Sequence, residues 1–171
     1  MTTNSTLLPE NTNNLQTNKF TFVAPGMPYG TYFCQTVNFP GVNTSEVMVP
    51  TPFSETYRHG DKLQYDPLTI TFLIDEDMRA WEESYNWLKG ITFPHNGREY
   101  VQQRKKGIYI DCTLTINRNS NTPNLRVLFK NCHPTSLGPI TFTATDDANM
   151  VPTADLTLRY DTFEFQRLNQ G

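Results

Sequence analysis

Along most of this chain apolar residues recur at every second position, the period of a half-buried strand. Phe20 and Phe22 flank Thr21 in a first short strand. Residues 24–30, with Pro25, Gly26, Pro28 and Gly30, predict a turn. Tyr32, Cys34 and Thr36 then share one face of a second strand, with Phe33, Gln35 and Val37 on the other, so the pair reads as a hairpin. Leu68, Ile70, Phe72 and Ile74 alternate with Thr69, Thr71 and Leu73. Further on, Ile108, Ile110, Cys112, Leu114 and Ile116 repeat the pattern, and Leu125, Val127 and Phe129 return after a polar turn at 118–124. Ile140, Phe142 and Ala144 alternate with Thr, 145–150 turns the chain, and Leu156, Leu158 and Tyr160 form the last strand. The apolar parity slips from Tyr160 to Phe163 and Phe165, which predicts a bulge near Asp161-Thr162.

One stretch breaks the period of two. From Asp75 to Lys89 the apolar positions Met78, Trp81, Tyr85 and Leu88 fall on one helical stripe. Asp75, Glu76 and Asp77 suit the N-terminal end of the dipole, and Lys89-Gly90 closes the other end. The expected fold is therefore mainly β: an antiparallel barrel-like sheet or sandwich of about seven or eight strands with one flanking helix. Residues 1–18 are Asn/Thr-rich, with Leu7, Leu8 and Leu15 as their apolar anchors, and read as a flexible arm before a single domain over 19–171.

A second arm, at about 43–64, changes the picture. Pro40-Gly41 predicts a type II turn, and Gly60-Asp61 a chain reversal, on either side of a segment carrying Pro50 and Pro52. Two prolines remove backbone donors and bar the segment from the middle of a sheet. Yet Val47, Met48, Val49, Phe53 and Tyr57 are apolar. An apolar arm held off the core points to a protein interface, so Val47, Met48, Val49, Pro50, Pro52, Phe53 and Tyr57 are the expected subunit-interface residues.

Composition narrows the function. The formal net charge is -3 and charged residues make up 18% of the chain, far from the cationic face that wrapping duplex DNA requires. Three cysteines, without Cys-x-x-Cys, read as small buried apolar residues of a protein made in a reducing cytoplasm. The first residues lack the basic start and apolar core of a secretory signal, and no apolar run approaches a membrane span.

No constellation supports catalysis. The acidic group Asp75, Glu76, Asp77, Glu82 and Glu83 is accounted for by helix capping and a solvated face. Cys112 with Cys132-His133 fits no zinc spacing, and His133-Pro134 reads as a strand exit. Arg104-Lys105-Lys106 reads as a solvated loop. Phosphate loops, Ser elbows and His-Glu-x-x-His are missing, so no enzyme, metal or cofactor is expected.

The succession Asn38-Phe39-Pro40-Gly41-Val42, Pro50-Thr51-Pro52-Phe53, Gly60-Asp61-Lys62-Leu63 and Asp66-Pro67-Leu68-Thr69-Ile70-Thr71-Phe72, with Asp75-Glu76-Asp77 before a helix, resembles the tail-tube proteins of contractile-tailed bacteriophages. A second block, Phe129-Lys130-Asn131-Cys132-His133-Pro134-Thr135-Ser136-Leu137-Gly138, extends the resemblance over roughly residues 18–168. It implies a virion protein whose six copies form a homo-hexameric ring, with rings stacking into the inner tail tube. Sheath and baseplate proteins would lie outside, with the tape-measure protein and DNA passing through the lumen without specific recognition and no membrane partner. The same fold serves a baseplate initiator and a tube terminator. A carbohydrate- or host-binding β-sandwich is the more distant alternative, and it predicts exposed aromatic platforms.

Overall fold

The computed structural model describes residues 13–92, 97–144 and 150–168. Most of the expected first arm (including Leu7 and Leu8), the loop around Pro94 and most of the 145–150 turn lie outside the described residues. The elements in chain order are β1 (Phe20–Val23), α1 (Pro28–Tyr32), β2 (Cys34–Asn38), β3 (Val42–Pro50), β4 (Glu55–Tyr65), β5 (Leu68–Leu73), α2 (Arg79–Ile91), α3 (Gly97–Lys106), β6 (Ile110–Asn117), β7 (Pro123–Leu137), β8 (Thr153–Arg159) and β9 (Thr162–Arg167).

Seven strands form one antiparallel sheet in the order β1-β6-β7-β8-β5-β2, with β9 also paired to β7. β7 belongs to both halves of it. Leu125–Lys130 pairs with β9 and with β6, whereas His133–Leu137 pairs with β8. The strand bends between these halves at Asn131, whose φ is 57°. Asp111 Oδ1 accepts the Asn131 N–H at 2.9 Å, and Asn131 Nδ2 donates to Asp161 Oδ2 at 2.6 Å, so two carboxylates hold the bend. His133-Pro134 is therefore no strand exit. Pro134 is buried opposite Leu158 beside a register shift, a place where a missing N–H is tolerated. The parity slip after Tyr160 is likewise more than a bulge: the chain leaves β8, turns at Asp161 and enters the other half of the sheet as β9.

Alternation sets the core. β5 is buried at Leu68, Ile70 and Phe72, with Thr69, Thr71 and Leu73 turned outward. Leu156 and Leu158 of β8, Val127 and Phe129 of β7, and Cys112 and Leu114 of β6 complete the same interior. Phe129, Phe163, Tyr160 and Tyr65 form an aromatic cluster with centroids 5.1–6.2 Å apart.

The expected helix is present as α2, and α1 and α3 join it. Pro28 presets the first turn of α1, so the predicted second strand begins only at Cys34. The buried side of α2 is Ala80, Ser84, Trp87 and Gly90 rather than the Met78–Leu88 stripe. Small residues allow α1, α3 and β7 to approach there. Trp81 and Tyr85 stack at the rim of that contact, with rings 5.5 Å apart and 8° from parallel. Arg104, Lys105 and Lys106 are the last turn of α3, where cations oppose the dipole, and not a loop. Gly107 ends that helix at φ 104°, a conformation costly for any residue with a Cβ. The strand expected over 140–144 does not form, and Phe142 is exposed there without a pairing partner.

Candidate subunit interface

Among the described residues β3 and β4 pair only with each other, as a two-stranded sheet apart from the main one. Val49, Gly60 and Tyr65 are half-buried, and every other residue of the two strands is exposed. The predicted second arm is thus a β-hairpin. Its reversal lies at Thr51-Pro52-Phe53-Ser54, where the Thr51 N–H donates to Ser54 O at 3.0 Å and the Ser54 N–H to Thr51 Oγ1 at 3.2 Å. Pro52 fixes the corner, and Phe53 at the tip is 100% exposed.

Two turn expectations fail here. Gly60-Asp61 lies inside β4: Thr44 faces Leu63 and Glu46 faces His59, so Gly60, Asp61 and Lys62 bulge opposite Ser45. A Cβ at Gly60 would sit 2.3 Å from the Ser45 carbonyl oxygen, so glycine serves close approach rather than reversal. Gly41 does not take the positive φ of a type II turn. Its carbonyl accepts the Asp66 N–H at 3.0 Å, which starts the hairpin ladder directly.

The root is anchored on both sides. Phe39, just before β3, packs edge-on to Phe163 at 5.5 Å, and Tyr65 at the end of β4 meets the same ring at 5.5 Å. Arg159 Nη1 donates to Tyr65 O at 3.0 Å, and the Tyr160 hydroxyl donates to Asp66 O at 3.0 Å. Burial pushes the Tyr160 phenol up to about 12. Among the described residues the blade beyond the root is exposed except at Val49 and Gly60.

Pair register divides the blade into two faces. Val47 lies opposite Arg58 and Val49 opposite Thr56 on one; Met48 lies opposite Tyr57, Pro50 opposite Glu55 and Glu46 opposite His59 on the other. All seven interface residues expected from the sequence therefore stand on one hairpin, split between its faces and its tip. The signals were Pro52 between two β-rich runs and the apolar residues themselves. The sequence reading missed that the runs pair, because Gly60-Asp61 imitates a turn.

The other polar clusters have structural accounts. Asp75 accepts the N–H groups of Arg79 and Ala80, each at 3.1 Å. Slight desolvation raises its carboxyl, but those N–H groups win and hold it below the ordinary carboxylate range. Glu83 is not part of a solvated face. It is half-buried and accepts the Tyr29 N–H at 3.0 Å, tying α1 to α2, and burial pushes its carboxyl up. Arg79 stacks over the Tyr29 ring and donates to its hydroxyl at 3.0 Å. Cys112 and Cys132 lie buried side by side, and the hydrogen bond between them together with burial pushes the Cys112 thiol up. His133 turns the other way, edge-on to Tyr109. Among the described residues no group of three or more His, Cys, Asp or Glu is placed to hold a metal, and no helix is long and apolar enough to cross a membrane.

Outside the hairpin, β1, β2 and β9 each pair on one side only among the described strands. A sequence model described as phage tail tube protein matches residues 10–166. The tail tube terminator protein of Enterobacteria phage T4 is 28% identical over 137 residues, covering 78% of this chain and 76% of the relative. Among solved structures, the tube-terminating cap of the anti-feeding prophage shares the fold with a TM-score of 0.67 at 15% identity, over 97% of this chain and 99% of that one. The sheath/tube terminator of an extracellular contractile injection system, PVC, does so with a TM-score of 0.65 at 16% identity, over 90% of this chain and 97% of that one. These relatives are tube and tube-terminator proteins rather than enzymes, and with the family model spanning nearly its whole length, this chain belongs to the phage tail tube protein family.

Proposed function

We propose that this protein is a structural component of the tail of a contractile phage virion, assembled from six copies into a ring on the tube axis. The observation that carries the reading is the exposed hairpin. A two-stranded hairpin is marginal alone in water, and this one leaves large apolar residues uncovered unless another subunit meets it. Val47, Met48, Val49, Pro50, Pro52, Phe53 and Tyr57 are the contact residues, and the open edges of the sheet supply the pairing surface between neighbours. Residues 19–171 are read as one tube-like domain, preceded by the arm expected over residues 1–18.

The end of the tube is the position favoured by the T4 relative and by the two terminator folds, so the ring is read as a tube terminator that also meets the sheath. The tube body, the conduit for DNA and the tape-measure protein, is the second reading, favoured by the family match. Electron microscopy of the purified chain separates them. A terminator forms discrete rings that do not lengthen and that stop growing tubes when added to tube subunits. A tube subunit polymerises alone, and a chain that stays monomeric at every concentration contradicts both.

A further inference from the structure

A cleft of about 470 Å3 lies between α2, α3, the turn before α1 and the start of β6. Helical spacing builds its two polar sides. Glu83, Asn86 and Trp87 stand at i, i+3 and i+4 on α2, and Gln103 and Lys106 at i and i+3 on α3. The Trp87 ring, Pro25, Pro28 and Ile110 supply apolar lining. Two opposite charges share this space. Glu83 is half-buried and accepts the Tyr29 N–H at 3.0 Å, yet burial outweighs its N–H donors and pushes its carboxyl up. Lys106 is exposed and acts on that carboxylate through its field; among the described residues no ion pair joins the two. The Asn86 amide is exposed and makes no hydrogen bond among the described residues.

We infer that this cleft binds a segment of another protein that carries a basic and an acidic side chain close together, the basic one meeting Glu83 and the acidic one Lys106. A ligand of one sign would be repelled by one of the two lining charges, and an apolar one would strip water from both without replacing it. A segment with both signs satisfies each charge. The Asn86 amide, donor and acceptor at once, suits its main chain, and the Trp87 ring and the prolines suit the aliphatic stems of its charged side chains. Asn86 and Lys106 leave one side of the cleft open to solvent. An open cleft suits a segment that is held in place by contacts elsewhere on its own protein, rather than a free small molecule. The cleft contains no hairpin residue, so the inference stands apart from the ring reading.

The test uses the full chain labelled with 5-fluorotryptophan. The sequence has two tryptophans; Trp87 lines the cleft and Trp81 does not, so the second 19F resonance is an internal control. The probes are acetyl-Lys-Leu-Glu-amide, acetyl-Lys-Leu-Lys-amide and acetyl-Glu-Leu-Glu-amide at matched ionic strength, with free L-lysine as a small zwitterion. The mixed-charge peptide should shift Trp87 saturably and leave Trp81 in place, with each single-sign peptide binding about tenfold more weakly or worse. Lys106→Glu, checked for a native circular-dichroism spectrum, should turn the preference toward the Lys-Leu-Lys peptide. No shift of Trp87, equal binding of the three peptides, a shift of Trp81 alone, or an unchanged preference in Lys106→Glu overturns the inference. Free L-lysine binding as tightly as the mixed-charge peptide overturns the assignment to a protein segment.

Discussion

β5 and β3 are both strands with apolar residues in their centres, and they do opposite things. In β5 the apolar side chains Leu68, Ile70 and Phe72 sit two apart and vanish into the core, with Thr69 and Thr71 outward. In β3 the apolar residues run without a gap through Val47, Met48 and Val49, and only Val49 is even half-covered. A period of two is the signature of a strand whose partner is its own domain. A continuous apolar run on an unpacked hairpin marks surface whose partner lies elsewhere. Core and proposed interface are therefore distinguished here by spacing more than by hydrophobicity, and substitutions that break one should spare the other.

The largest effect belongs to the core. Trp87 is buried against the sheet, with its Nε1 donating to Ile108 O at 3.3 Å. Trp87→Ala is expected to cost about 3–5 kcal/mol in chemical denaturation. Trp81→Ala, at the rim, should cost clearly less; equal costs would mean that the helix faces have been misassigned. By contrast, the triple variant Val47→Ser, Val49→Ser and Phe53→Ser should leave the stability of the isolated chain within about 0.5 kcal/mol, as for exposed sites generally, while abolishing assembly in mass photometry. Unfolding of that variant would make the hairpin part of the domain's own core.

The hairpin root sharpens the comparison because it joins the two regions. Tyr160→Phe removes one hydrogen bond to Asp66 O and should cost about 0.5–1.5 kcal/mol. The phenol rises from its ordinary 10 to about 12 in the folded state. Its contribution is therefore full below pH 10 and is lost as pH climbs from 10 toward 12, a decline that denaturation midpoints should show for the parent and show blunted for Tyr160→Phe.

The smallest effect is kinetic. Burial raises the Cys34 thiol from 9.0 to about 11, leaving about 100-fold less thiolate than an ordinary cysteine near neutral pH. Maleimide should label Cys34 slowly and the buried pair Cys112 and Cys132 not at all without denaturant. Rapid labelling of all three would show a looser interior than the packing described above.

What was legible in the sequence follows the same line. Strands β5, β6, β8 and the first half of β7 announced themselves through strict alternation, because one face of each meets the core. The candidate interface residues stood out as a chemical contradiction, apolar side chains on a proline-marked arm. The pairing of β3 with β4 was not legible, since two strands left largely exposed on both faces are free of the alternation that packing imposes. α3 stayed hidden because Arg104-Lys105-Lys106 is as suited to a helix end as to a loop, and its exposed surface carries no apolar stripe. The corner at Asn131 was missed, and that at Asp161 was read only as a bulge, for a different reason: their geometry depends on hydrogen bonds between residues 20 and 30 positions apart, which no local pattern encodes.

The central claim, that β5 answers to its own domain and the hairpin to its neighbours, is tested most directly by hydrogen exchange of the isolated chain and of the assembled rings, read peptide by peptide. In the isolated chain the amides of 46–58 should exchange far faster than those of Leu68–Leu73. On assembly the hairpin amides should become protected while β5 hardly changes. A hairpin already as protected as β5 in the isolated chain, or still unprotected in the ring, would contradict the account.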